Sequence, residues 1–122
     1  MLRTVATIAF GVVMVLGGVG HFANPDFYLG FFPDGVPAKP LILLSGVFEL
    51  AIGAATLVPK TRLYGARAIF GAMLVFLPLH VVDVFREHPA VGSHVAALVR
   101  LPIQFVLIAW SGWIAQLRAP KP

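Results

Sequence analysis

PLILLSGVFELAIGAATLV, residues 40–58, is apolar or small throughout except for one carboxylate, Glu49. About 20 residues rising about 1.5 Å each cross a hydrocarbon core of about 30 Å, so a run of this length reads as a membrane span. Glu49 sits near its middle. A carboxylate at that depth is costly unless it is protonated, paired or wetted, so its partners must come from other helices.

The composition around this stretch agrees with a membrane setting. Of 122 residues, 59% are hydrophobic and 11% are charged, with a mean hydropathy of +0.92. A soluble domain carries about 25% charge. The chain reads as an integral membrane protein in contact with the lipid bilayer, and a single bundle over residues 1–122 uses up its length. It has no cysteine, which removes disulfides, thiolate metal sites and dithiol chemistry. The formal charge of +4 does not point to nucleic acid, because the basic residues lie beside the apolar runs and form no stripe with interleaved aromatics.

Outward from the central stretch lie three more apolar runs, so the predicted spans are residues 4–22, 40–58, 63–85 and 95–115. Arg3 ahead of the first run imitates a signal peptide, but the run is long for an h-region and no small-x-small cleavage site follows, so it reads as a retained span. PKTR at 59–62 is long enough only for a tight turn, which makes the second and third helices antiparallel neighbours. Pro78 is expected to kink the third. Between the first two spans, Asn24 and Pro25 form an N-cap and first-turn pair, predicting a short interfacial helix over 26–31 with Phe27, Tyr28, Phe31 and Phe32 at headgroup level. The expected fold is all-α, an antiparallel four-helix transmembrane bundle with a short interfacial segment between helices 1 and 2. Arg3, Lys60, Arg62, Arg67, Arg118 and Lys121 fall on one side, against Lys39 and Arg86 on the other. By the positive-inside bias, both termini are expected in the cytoplasm of a cell whose plasma or inner membrane holds the bundle.

Depth then groups the polar residues. His21 ends the first span, and His80 and Asp83 lie within about two turns of the outer end of the third. Glu49 is about 14 Å below Pro40, and Gln104 is equally far below Val95, with Arg100 one turn above it. Arg100 and Gln104 are i,i+4, His80 and Asp83 are i,i+3, and Ser45 and Glu49 share a stripe. Each residue has a structural reading: interfacial groups reaching water for His21 and Asp83, helix packing for His80, a plain ion pair for Glu49 with Arg100. Six such groups at one depth instead predict a shared polar cavity, since scattered structural groups would not converge.

GHFANPDFYLGFFPDGVPAKP, SGVFELAIGAATLVPKTR, FLPLH and RLPIQFVLIAW together resemble the DoxX-like family of small four-helix membrane proteins over nearly the whole chain. The resemblance falls on His21, Ser45, Gly46, Glu49, Gly53, Arg100, Pro102 and Gln104; Pro78, Leu79 and His80 stand where many relatives have Pro-Ala-Asn. It implies a membrane redox setting, since the family includes a subunit of a thiosulfate to quinone oxidoreductase. Two functions are compatible with the residues. In the first, the cavity takes a small lipophilic, quinone-like ligand: His21 or His80 exchanges protons with it, Glu49 relays them, and Ser45, Asp83, Arg100, Gln104, Phe22 and Tyr28 bind it. With no haem or flavin motif, a redox reaction there requires a partner protein. In the second, the chain is a non-catalytic scaffold or binding subunit whose polar network sets helix register. Two histidines also raise bis-imidazole haem or a metal, but neither has a ligand-like local motif and His88 and His94 lie in a loop, so no metal centre is expected and haem is disfavoured.

Overall fold

The computed structural model describes residues 1–117; Arg118 and Lys121, counted above with the basic side, lie outside them. Four α-helices follow one another: α1 Leu2–Ala23, α2 Ala38–Leu57, α3 Arg62–Val84 and α4 His94–Ile114. Each is long and apolar enough to cross a membrane, and the chain is an all-α, antiparallel four-helix transmembrane bundle. Each helix begins one or two residues ahead of its predicted span. α2 gains its two extra residues because Pro40 sits in the first turn, where the helical amides have no partner to lose.

α1 packs most extensively on α2, and α3 on α4. The α1–α2 seam is a backbone contact made possible by missing side chains. A Cβ on Gly53 would lie 3.0 Å from the Gly11 carbonyl oxygen, and one on Gly18 would lie 3.0 Å from that of Gly46. Lipid offers no hydrophobic drive for helix association, so close approach of this kind is what holds such helices together.

The two ends of the bundle differ. At the end holding Leu2, an apolar core of Phe10, Met14, Ile52, Ala66, Ile69, Ala72, Met73 and Ile114 fills the interior. Here the basic residues also close helix ends: Arg62 donates from Nε to the Thr56 carbonyl and from Nη2 to that of Leu57, each at 3.1 Å, and Arg67 Nε donates to Ala115 at 3.2 Å. Towards the other end the buried residues include the polar His21, Glu49, Asp83 and Gln104 beside the apolar Ile42 and Ala97.

That polar end is covered by a 3-10 helix, Pro25–Phe31, where a short helix is expected over 26–31. Pro25 does start it, but Asn24 makes no side-chain capping bond. Arg86 ties it down, donating from Nη1 to the Gly30 carbonyl and from Nη2 to that of Phe31.

Candidate functional site

His21 reaches Glu49 because the glycine seam lets α1 and α2 touch. A Cβ on Gly46 would lie 2.7 Å from the Cβ of His21, so any larger residue there would push the two helices apart. Glu49 lies one turn further along the same face of α2. Its Oε2 is 2.8 Å from His21 Nδ1. The same Nδ1 is 2.8 Å from the Gly17 carbonyl oxygen, and the N–H is aligned with that carbonyl. With two acceptors beside it, Nδ1 carries a proton. Oε2 is left off the N–H line and has no hydrogen-bond partner of its own among the described residues. Both side chains are buried, and Tyr28 from the 3-10 helix stacks on the imidazole at 4.0 Å between centroids and 12° between planes. Burial first, and then the nearby Glu49 charge, push the Tyr28 hydroxyl above its usual range, so near neutral pH it stays a proton donor.

The other polar residues meet on the α3–α4 seam. Gln104 is fully buried and donates from Nε2 to the Met73 carbonyl at 2.7 Å. Arg100 lies one turn further out on the same face of α4. His80 lies two turns beyond Met73 on α3, where the charges of Arg100 and Asp83 act on it. His80 Nδ1, Arg100 Nη1 and Gln104 Oε1 are all buried atoms with no hydrogen-bond partner among the described residues. Phe31 covers this group edge-on, its ring 5.7 Å from that of His80. Pro78 and Pro102 are both inside their helices here. Each lacks an N–H, so the carbonyls of Leu74 and Leu98, four residues earlier, lose their helical donors.

The six residues expected in one cavity are therefore divided. Among the described residues the close contacts between basic and acidic side chains are His21 with Glu49 and Asp83 with Arg86, not Glu49 with Arg100. The reason is rotational: the glycines turn Glu49 towards α1, and the bond to Met73 turns the Gln104 face of α4 towards α3. Asp83 is occupied by the loop before α4, accepting from the amides of Ala90 at 2.6 Å and Val91 at 3.3 Å. Ser45 lines a shallow apolar groove of about 530 Å³ on the outer face of α2, together with Leu44, Val47 and Phe48. Phe22 is exposed, with its ring edge against Gly46. Phe31 and the Met73 carbonyl were not anticipated as site groups; no residue-type pattern marks a backbone acceptor, and Phe31 was read only as an interfacial aromatic. Among the described residues no three His, Asp or Glu side chains are placed to hold a metal.

No curated protein and no solved structure matches the chain. A family model described as a domain of unknown function, DUF8561, matches residues 10–115, which takes in His21, Glu49, Tyr28, His80, Arg100 and Gln104. The chain belongs to the DUF8561 family.

Proposed function

We propose that the chain is a DoxX-like membrane component that binds a small lipophilic, quinone-like ligand beneath the 3-10 helix and exchanges protons with it through His21 and Glu49. The observation that carries this reading is the buried contact of 2.8 Å between the His21 imidazole and the Glu49 carboxyl. A titratable pair held away from water in a membrane helix is expensive, and a group that carries a proton is the common reason to keep one. Groups that suit a flat ring with oxygens at its edge lie on both seams beneath the 3-10 helix: the Tyr28 ring beside His21 and Glu49, and the Phe31 ring with Arg100 Nη1, a donor in want of an acceptor, on the α3–α4 side. Such a ring, when bound, supplies two-electron, two-proton chemistry. The chain's own part is to hold the ring, keep water out with the covering aromatics and carry protons at Nδ1 and Oε2. Electrons come from a membrane or redox partner protein. The proposed setting is the plasma or inner membrane with both termini in the cytoplasm, because Arg3, Lys60, Arg62 and Arg67 share one end of the bundle.

Purification of the full chain in mild detergent, followed by an absorption spectrum and mass spectrometry of the extracted lipophiles, tests the reading. A quinone-class molecule retained near one per chain, and lost in Glu49→Gln, is the expected result. A protein that retains no such molecule and fails to bind an added short-tailed benzoquinone is instead the scaffold subunit.

A further inference from the structure

Gln104 holds an orphan acceptor, its Oε1, to which none of the described residues donates. The amide orientation is settled by the bond from Nε2 to the Met73 carbonyl, because turning the group over would set oxygen against oxygen. Oε1 therefore faces the seam as an acceptor, fully buried and without a donor. Arg100 Nη1, one turn away on the same face, is a donor without an acceptor. A lone ring carbonyl satisfies the arginine and leaves Oε1 stranded. A ring hydroxyl does both, accepting from Nη1 and donating to Oε1.

We infer that the Arg100–Gln104 face of α4 is a subsite for a ring hydroxyl, as in a phenol or a quinol, and that Gln104 makes it discriminate against the bare carbonyl of the oxidised ring. This inference rests on the ligand class proposed above and adds the redox state that the site selects. A site built to pair a hydroxyl rejects the analogue lacking it, because its own buried acceptor is then left unpaired. His80 Nδ1, about one turn further out, is the next polar atom a substituent on the ring meets on its way to the surface.

The test is equilibrium binding of a decyl-tailed benzoquinone and of its quinol to the detergent-solubilised full chain, anaerobically, in the wild type and in Gln104→Leu. The expected result is a quinol bound about tenfold more tightly than the quinone by the wild type, with the two affinities drawn together in Gln104→Leu. Equal affinities in the wild type, or a preference that survives Gln104→Leu, overturn the inference while leaving the ligand class standing. Binding of neither form overturns the ligand class itself. Should Gln104→Leu fail to fold, the wild-type ratio decides alone.

Discussion

Glu49 owes its partner to residues that have no side chain. Had it neutralised Arg100, Glu49→Gln would leave a buried cation unpaired and cost about 3–5 kcal/mol. Beside His21, whose N–H already has the Gly17 carbonyl, the same substitution removes one short contact. Polar contacts between membrane helices average about 0.6 kcal/mol, so Glu49→Gln should lower detergent stability by about that much. A melting temperature that collapses in this variant would show the carboxylate to be a structural charge. Tyr28 offers a second readout at the same place. In a Tyr64→Phe background Tyr28 is the one tyrosine left, and its absorbance change should come above pH 10, its ordinary midpoint. Glu49→Gln should move that midpoint down part of the way. Burial, the larger cause, remains, while the push from the carboxylate is gone. A raised phenol midpoint also means that the stability it contributes is complete below its unfolded value and lost as pH climbs through the folded one. A Tyr28 midpoint at or below 10 would remove the ring from its buried place beside Glu49.

At the scale of elements, the α1–α2 seam makes the strongest demand on sequence. Gly53→Val sets a branched side chain where even a Cβ comes within 3.0 Å of the Gly11 carbonyl and the Val15 amide nitrogen. Overpacking of this sort costs about 1–3 kcal/mol, and because backbone must move it should also break the His21–Glu49 contact. Gly71 is the control: a Cβ there meets nothing within 4 Å, so Gly71→Ala should cost nothing in thermal stability and leave ligand retention intact. If the two variants melt alike, the seam is not holding α1 to α2. Helix existence was legible in the sequence because hydropathy and length alone decide which runs can cross a bilayer. Helix rotation was not. Glu49, Arg100 and Gln104 share a depth, and depth is readable by counting residues, but whether a stripe faces left or right depends on which neighbour comes closest. The glycines carried that information, yet a glycine inside a span does not by itself mark a contact, since Gly71 touches nothing. Asp83 shows the same limit from the other side, since its partners are backbone amides of a loop that no pattern of side chains advertises.

Over the whole molecule, polarity is split along the bundle axis, with an apolar core towards the termini and the titratable groups beneath the aromatic 3-10 helix. In the proposed function, the compartment that the titratable end faces would decide the direction in which His21 and Glu49 exchange a proton. The basic side chains argue for an outward-facing site. Arg62 and Arg67 close the carbonyl ends of α2 and α4 at the opposite end, a role available on either side of a membrane. Their number there is not explained by capping, because Lys60 and Arg3 make no hydrogen bond to a helix end among the described residues and still add to the charge. The bias in lysine and arginine between short flanking segments is what orients a bundle during insertion. A reporter fused after Pro122 should therefore be active only in its cytoplasmic form, and a cysteine placed at Asp34, an exposed turn residue beside the 3-10 helix, should react with a membrane-impermeant thiol reagent added to intact cells. The native chain has no cysteine, so any labelling reports that position alone. Replacing Lys60, Arg62 and Arg67 by glutamine should weaken the preference and yield a mixed population. An exterior-active fusion together with an unlabelled Asp34→Cys would place His21 and Glu49 on the cytoplasmic side and reverse the proposed direction of proton exchange.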